Sequence, residues 1–427
     1  MLNTLVEILK HSGVTAWELS AVQERGWEFY FIRHALDQNR VKETESLTVK
    51  VFQLSEDGES LGFASAQLPR TATRGEAEAL VKDLAYRATL VKNKPYTLHR
   101  PVPVEGTAGE KIDVPRIARD FLAVMRSVPE TAEEDINSYE LFVSDKTRRF
   151  LNSEGVDVTE SWPDSMLEVV INARSGGHEI ELYRNYVSGG CDGEALRQDL
   201  ARAMRFGRDR LRAVPTPALG KADVLFSGRD AVSLYRYFAG RTDAQLIYRR
   251  MSDWAIGKPI AEGIVGDRVT VEAVRELPNS SRNRLYDAEG APIRDTVLIK
   301  DSVPVRFLGS RMFSSYLGLE ESFIPANLSV GGGTHSEEEL RTGRYLEAVE
   351  FSDFQVDEVT GDIFGELRLA YWHDGDAVTP VTGGSLSGSM NDFVRDMAMS
   401  GACRQYNSMR IPALTRLKGV TVTGAAE

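Results

Sequence analysis

The sequence is poor in the residues on which metal and disulfide chemistry depend. Only two of its 427 residues are cysteine, Cys191 and Cys403, and six are histidine. Two cysteines are too few for a disulfide framework or a zinc ribbon, and they suit a reducing compartment. Histidine is scarce enough that its placement along the chain bears on every catalytic hypothesis. The six are His11, His34, His99, His178, His335 and His373.

Long apolar runs and a surplus of positive charge are also missing. No window approaches the roughly 18 apolar residues of a membrane span. The opening MLNTLVEILKHSG lacks the basic flank and long apolar run of a secretory signal. Lys and Arg number 51 against 63 Asp and Glu, a formal net charge of −12 that repels phosphate backbones and anionic lipid. We therefore expect a cytoplasmic protein that binds neither membranes nor nucleic acid directly.

The hydropathy pattern predicts an α+β chain in two main parts. At about 150 residues per domain the length suggests two or three domains, and 42% hydrophobic residues are typical of a globular protein. Residues 1–213 show helix, strands and helix twice over, whereas the rest is mostly strand-like. We predict an amino-terminal α+β domain over 1–215, with a candidate sub-boundary at the proline-rich stretch 92–112. A β-rich domain is predicted over 220–427.

Capping residues and turn signals set the predicted element boundaries. Thr73 stands three residues before Glu76, a capping-box spacing that predicts a helix over about 74–91. Asp113 and Asp192 are predicted to cap two further helices. Turn signals are predicted to separate strands at RG (25–26), DQNR (37–40), SEG (153–155), WPD (162–164) and SGG (175–177).

The helix after Asp192 carries arginines around an apolar stripe. Because such arginines normally face water, we expect a solvated surface there and no anionic partner. They are Arg202, Arg205, Arg208, Arg210 and Arg212. Two later segments are also helical by pattern, at about 229–252 and at MNDFVRDMAM, 390–399.

Common catalytic motifs are absent by spacing. No two histidines stand four residues apart, as a helical zinc site requires. His335 and Glu339 have that spacing, but a turn running into a short acidic helix is favoured over a metal pair. The segment 383–388 fails the G-x-S-x-G spacing for both Ser385 and Ser387, which disfavours a serine hydrolase, and a tight turn is favoured.

Several segments from about residue 150 onward form an ordered series. They are Asn152–Gly155 (NSEG), Asp287–Gly290 (DAEG), Arg294–Asp301, Arg311–Gly318, Val359–Asp362 (VTGD) and Val381–Gly388. In order, spacing and combination the series resembles the TldD/PmbA family, also described as modulators of DNA gyrase. The resemblance implies an α+β amino-terminal half and a β-rich carboxy-terminal domain, in agreement with the pattern above.

The same resemblance separates two kinds of chain. TldD-type members carry HExxxH at the start of the carboxy-terminal domain and act as zinc peptidases, whereas PmbA/TldE-type members lack it. The matching segment here, Gly228–Arg236, contains no histidine. Asp230 stands where the family's general base would be, but without a metal-bound water it has no evident task. Cys403 can be compared with the family's third ligand, yet the surrounding residues do not match.

The resemblance therefore implies a PmbA/TldE-like, non-catalytic subunit of a cytoplasmic TldD-type zinc metallopeptidase complex that degrades or processes unfolded or leader peptides. No catalytic residue, metal ligand or cofactor is expected in this chain, and zinc is expected only in a TldD-type partner. The alternative is a homodimeric peptide- or protein-binding module of the gyrase-modulator type, without a catalytic partner.

Two glycine turns are candidate contacts for an extended peptide, because glycine lets another backbone approach closely. Ordinary loop glycines are the other interpretation. The candidates are Gly331, Gly332 and Gly333 in one turn, and Gly383, Gly384 and Ser385 in the other.

Overall fold

The computed structural model describes residues 1–104 and 112–425, so positions 105–111 of the predicted connector lie outside the described residues. The fold is mixed α+β, as predicted. Residues 92–104 contain no helix, and Asn93 forms an isolated bridge with Leu61. Within the described ranges, no helix combines the length and the hydropathy needed to cross a lipid bilayer.

The amino-terminal half is built on a six-stranded antiparallel sheet with the order β3-β2-β1-β4-β5-β6. Its strands are β1 (Ala16–Ile32), β2 (Ala35–Leu54), β3 (Leu61–Leu68), β4 (Glu134–Asn152), β5 (Asp157–Ser175) and β6 (His178–Ser188). Its helices are α1 (Leu2–His11), α2 (Arg74–Thr89), α3 (Val114–Ser127) and α4 (Gly193–Arg212). Trp17 and Leu19 of β1 pack with α1 and α2, and Trp27 and Phe29 pack with α3 and α4. These odd-numbered residues share one face of β1, so the helices cover one face of the sheet.

The predicted helix starts are confirmed. Thr73 and Glu76 form a complete capping box at the start of α2, each side chain bonding the other's backbone N–H. The Asp113 and Asp192 carboxylates accept backbone N–H groups in the first turns of α3 and α4. Each cap satisfies donors that no residue within the helix can reach.

Three of the five predicted turns are wrong. RG, DQNR and WPD lie inside β1, β2 and β5, whereas SEG and SGG are turns as predicted. A Cβ at Gly26 would lie 2.1 Å from the carbonyl oxygen of Val143, so this glycine permits a close approach of β4. Pro163 is tolerated because β6 pairs with β5 only from Ser165 onward, so no β6 residue needs a donor from it.

The outer end of β2 has a free edge. β3 pairs only with residues 47–54, and residues 35–46 have β1 on one side and no strand of the described chain on the other. Successive side chains point to opposite faces, so one face of this segment is basic and the other is acidic. The basic residues are Arg40 and Lys42, and the acidic ones are Glu43 and Glu45, whereas Asp37 is the extra residue of a β-bulge.

The carboxy-terminal half contains two further sheets around one core. Its strands are β7 (Val214–Pro215), β8 (Gly220–Phe226), β9 (Thr270–Val274), β10 (Thr296–Lys300), β11 (Val303–Pro304), β12 (Asn327–Gly331), β13 (Tyr345–Val356), β14 (Asp362–Asp374), β15 (Ala377–Thr382), β16 (Ser385–Ser389), β17 (Ala398–Met399), β18 (Cys403–Tyr406), β19 (Met409–Pro412) and β20 (Thr415–Thr423). One sheet has the order β11-β10-β9-β12-β19-β18; the other runs β13-β8-β20-β16-β14-β15-β7, with β17 paired to β20. The core includes Phe226, Phe238, Val271 and Leu386.

The helices of this half are shorter than the pattern predicts. They are α5 (Ala231–Arg241), α6 (Ala244–Tyr248), α7 (Arg311–Tyr316), α8 (Glu337–Leu340) and α9 (Met390–Phe393). The predicted helix over 229–252 divides at Asp243, which caps α6 by accepting the N–H of Gln245. The predicted helix over 390–399 stops at α9 because the carbonyls of Arg395 and Met397 instead accept N–H groups from residues 265–267.

The two halves are in direct contact. The buried Val349 and Leu369 of the carboxy-terminal half belong to the same core cluster as Leu141 of β4. The Glu160 carboxylate of β5 accepts the N–H of Leu285 at 3.0 Å. The division of the chain between residues 215 and 220 stays a prediction.

Replacing Gly26 by alanine should lower the free energy of unfolding by about 3 kcal/mol, because the new methyl group has no room against β4. Urea unfolding followed by circular dichroism measures the change. Gly75→Ala is the control: open space surrounds that position in α2, so stability should hold or rise by about 0.5 kcal/mol. Equal effects of the two substitutions would contradict the close approach.

Candidate functional site

A cavity of about 240 Å³ lies where the two halves meet. Residues of β6 and α4 form its amino-terminal side. The turn between β8 and α5, a stretch of β13 and Tyr406 form the opposite side. The start of α5 is the segment that corresponds to the family's HExxxH position, so this cavity is the place to test for catalytic or metal-binding groups.

A buried ion pair crosses the cavity. The Arg184 guanidinium of β6 donates to the Glu350 carboxylate of β13. The two side chains are 15% and 16% exposed, respectively. Burial raises the pKa of Glu350, and the charge of Arg184 opposes that rise. Each charge depends on the other because water cannot replace its partner.

Asp230 presents a second carboxylate at the start of α5. Its side chain receives no hydrogen bond from any residue in the described ranges, and it makes no capping bond to the helix. Burial raises its pKa, with Arg229 and Arg184 opposing the shift. Asp230 in turn raises the pKa of Glu350, so the two carboxylates lie near one another with Arg184 close to both.

Tyr186 and Arg229 close the same region. The Tyr186 hydroxyl is buried without a hydrogen-bond partner in the described chain. The Arg229 guanidinium carbon lies 5.5 Å from the centre of the Tyr186 ring, and the same group donates to the Asn185 carbonyl. Arg229 therefore holds β6 to the β8–α5 turn.

This set of groups does not fit a zinc ion. The α5 segment supplies no imidazole, and the Asp230 and Glu350 carboxylates share their space with the Arg184 guanidinium, whose charge would oppose a cation. Across residues 1–104 and 112–425 no group of three or more His, Cys, Asp or Glu side chains is arranged to hold a metal.

Cys403 lies close to α5 in space. Its sulfur is 3.7 Å from the Val330 carbonyl oxygen. Burial raises the pKa of Tyr235 on α5, and Cys403 adds to that rise, which places the thiol near the helix. Cys403 and α5 are thus neighbours, but the helix brings no histidine to the thiol.

The His335–Glu339 spacing has a structural cause. Glu339 completes a capping box with Ser336 at the start of α8, so the expected turn into a short acidic helix is confirmed. The His335 Nδ1 atom instead lies 2.9 Å from Asp267, whose carboxylate also accepts bonds from Thr334 and the Met399 N–H.

The candidate peptide-contact turns lie in two different sheets. Gly331 ends β12, and a Cβ there would meet nothing within 4 Å. At Gly332, Gly333 and Gly384 the chain's own backbone already fills the space that the missing side chain leaves, at 1.9, 2.2 and 2.2 Å from the ideal Cβ. Contact with an extended peptide stays a prediction for both turns.

The remaining two members of the second turn are also placed. At Gly383 the nearest atom to an added Cβ is the Cβ of Ala425, 3.0 Å away. Ser385 begins β16, and its hydroxyl lies 2.7 Å from that of Thr423. Ser385 therefore contacts another hydroxyl and no base that could activate it as a nucleophile.

The predicted solvated face of α4 is only partly correct. Arg205, Arg208 and Arg212 are exposed, but Arg202 lines the cavity and burial lowers the pKa of Arg210. Sequence reasoning singled out Asp230 and missed Arg184, Tyr186 and Glu350. One signal could have found Glu350, since it and Glu347 are the two charged residues in the strand segment YLEAVEF, whose other residues are apolar.

Breaking the buried pair should be costly, whereas replacing both members should not. Glu350→Leu and Arg184→Met alone are each expected to lower the free energy of unfolding by about 3 kcal/mol, and the double variant that combines the two substitutions should recover most of it. Denaturant unfolding of the singles and the double forms a mutant cycle. Asp157→Asn, in a surface pair with Arg149, is the control and should cost less than about 1 kcal/mol. Additive effects across the cycle would refute the coupling.

Asp230 should make stability fall as pH rises. Its folded-state pKa is above 3.8, so the folded state binds the proton more tightly than the unfolded state just above that value. The free energy of unfolding therefore falls as pH rises through this window. Asp230→Asn should be more stable than the parent by about 1 kcal/mol at about pH 7, with the gain shrinking by about pH 4. Urea unfolding at both pH values tests this; a constant difference would contradict it.

Comparison with known proteins agrees with the motif series. Residues 219–424 match the family model described as the PmbA/TldA metallopeptidase C-terminal domain. A protein of Methanothermobacter thermautotrophicus named "Metalloprotease" is 26% identical over 281 residues, and the match spans 58% of this chain and 58% of that protein.

Three solved structures share the fold. TldE from Thermococcus kodakarensis superposes with a TM-score of 0.79 at 16% identity, covering 100% of both chains. A candidate modulator of a DNA gyrase from Thermotoga maritima gives 0.76 at 16% identity, with 99% of each chain covered. A like-named protein from Bacteroides thetaiotaomicron gives 0.76 at 16% identity, with 99% of this chain and 98% of that one covered. The family-model match confirms the resemblance to the TldD/PmbA family over residues 219–424, and the solved structures show that the fold is shared along the chain.

Proposed function

We propose that this chain is a PmbA/TldE-like, non-catalytic subunit of a cytoplasmic TldD-type zinc metallopeptidase complex. Its partner would carry the zinc and cleave unfolded or leader peptides. This chain would hold no cofactor of its own and would complete the enclosure in which an extended peptide is bound.

One observation carries the proposal. The segment matched to HExxxH, Gly228–Arg236, contains no histidine, and the Arg184 guanidinium lies beside the Asp230 and Glu350 carboxylates. Hydrolysis by a zinc peptidase needs a metal that lowers the pKa of a bound water and a base that takes its proton. Among the described residues, no group of side chains beside Asp230 is arranged to hold a metal. The positive charge near its carboxylate comes from the Arg184 and Arg229 guanidinium groups. A subunit that lacks these groups can still bind or enclose a peptide for a partner that has them.

The test compares the chain alone with the complex from its own cells. The isolated chain should contain no stoichiometric zinc by elemental analysis and should leave an unfolded casein substrate intact. Tagged at its natural expression level, it should recover a paralogue bearing HExxxH, and the recovered complex should contain zinc and cleave casein. Removing zinc with a chelator should abolish that cleavage.

Two results would count against the proposal. Stoichiometric zinc together with cleavage by the isolated chain would refute a non-catalytic role. Recovery of a homodimer with no HExxxH partner would favour the gyrase-modulator type of binding module.

A further inference from the structure

A second cavity, of about 600 Å³, lies between the amino-terminal sheet and the loop 276–285 of the carboxy-terminal half. Its walls come from the start of α3, from Trp162 and its neighbours on β5, from residues 189–191 and from that loop. The Arg284 side chain forms part of the wall. This cavity is separate from the Arg184–Glu350 cavity and has no role in the function proposed above.

Arg284 is stacked on an aromatic ring and only partly hydrogen-bonded. Its guanidinium carbon lies 3.4 Å from the centre of the Trp162 ring, so the indole covers one face of the cation. Nη1 donates to the Asn283 carbonyl at 2.7 Å, and Nη2 donates to the Ser281 carbonyl at 3.1 Å. A guanidinium has five N–H donors, so three remain without an acceptor among the described residues.

The carboxylates around Arg284 are engaged elsewhere. Glu160 is the carboxylate with the largest effect on the pKa of Arg284, but its Oε1 bonds Arg148 at 2.6 Å and its Oε2 accepts the Leu285 N–H. Asp120 pairs with Arg116 at 3.8 Å. Within residues 1–104 and 112–425, Arg284 therefore forms no ion pair.

An unpaired cation in such a place is energetically unfavourable. Burial lowers the pKa of Arg284 to about 9, so the group still carries its charge at neutral pH. A half-buried charge without a hydrogen-bonded counter-ion loses hydration, which the two carbonyl hydrogen bonds and the more distant charge of Glu160 replace only in part. A bound anion would supply the missing partner.

We propose that this cavity binds a carboxylate, held by the free N–H groups of Arg284 with Trp162 behind the guanidinium. The planar guanidinium matches the two oxygens of a carboxylate and forms short, charge-assisted hydrogen bonds. The volume leaves room for more than the carboxylate itself. Two sources present this chemistry, the carboxyl terminus of a peptide and a small free carboxylic acid.

Calorimetric titration of the isolated full-length chain separates these cases. The probes are N-acetyl-alanyl-phenylalanine as the free acid, the same compound as its carboxamide, and sodium acetate. The free acid should bind saturably, and the carboxamide should bind at least about tenfold more weakly because it cannot pair with the cation. Acetate binding as tightly as the acid would identify a general carboxylate site, whereas weaker acetate binding would identify a peptide terminus.

Variants tie the binding to Arg284. Arg284→Met should weaken binding of the acid by at least about tenfold, whereas the exposed neighbour Arg282→Met makes the same charge change and should stay within about twofold of the parent. Because methionine removes an unpaired charge, the thermal midpoint of Arg284→Met should not fall. The acid should also change tryptophan fluorescence, and Trp162→Phe should abolish that change.

Equal affinity for the acid and the carboxamide would overturn the proposal, and that comparison needs no variant to fold. Absence of saturable binding of the acid, or unchanged binding by Arg284→Met, would do the same. None of these outcomes bears on whether the chain recovers an HExxxH-bearing partner, so the carboxylate site and the subunit role fail or stand separately.

Discussion

The buried contact between Arg184 and Glu350 is the constraint around which the two halves of the chain meet. One residue belongs to the six-stranded amino-terminal sheet and the other to a carboxy-terminal sheet. Because both charges are largely removed from water, the strands that carry them must stay within hydrogen-bond distance or leave two charges without partners. The apolar contact of Val349 and Leu369 with the amino-terminal core holds the same strands together. The ion pair and the apolar contacts thus hold the two halves in the same relative position.

This junction also bears on the chemistry of the family. A PmbA/TldD-family domain places the start of α5 at the cavity, and in this chain that start brings a carboxylate without imidazoles. Positive charge near Asp230 comes from Arg184 and Arg229, which are covalently part of the chain and cannot be exchanged. A ligand in this cavity would therefore meet the fixed guanidinium groups of Arg184 and Arg229.

Local signals were predictable from the sequence, and non-local ones were not. Thr73, Asp113 and Asp192 cap their helices as predicted because a capping side chain and the N–H group that donates to it lie within three residues of each other. Gly26 and Pro163 look like turn residues, but their meaning depends on which strand lies beside them. The sequence alone does not distinguish a glycine that permits close approach of another strand from a glycine that forms a turn.

The residues of the candidate sites also differ in whether the sequence could identify them. Asp230 could be singled out because the family motif fixes its place in the chain. Arg202 was expected to face water because the helix pattern alone cannot reveal that β13 and the α5 turn pack over that part of α4. Arg284 gives no signal at all in the sequence, since its stacking on Trp162 joins residues more than a hundred positions apart.

The free outer end of β2 has a consequence for how copies of this chain behave in a crowded solution. An exposed strand edge invites another strand, and two copies of the same edge can join in antiparallel fashion. In the registers of greatest overlap between residues 38–46 and the same edge of a second copy, Arg40 would face another Arg40 or Lys42. Like charges directly opposite one another oppose such pairing. The basic face of this unpaired edge thus opposes its addition to the same edge of another chain.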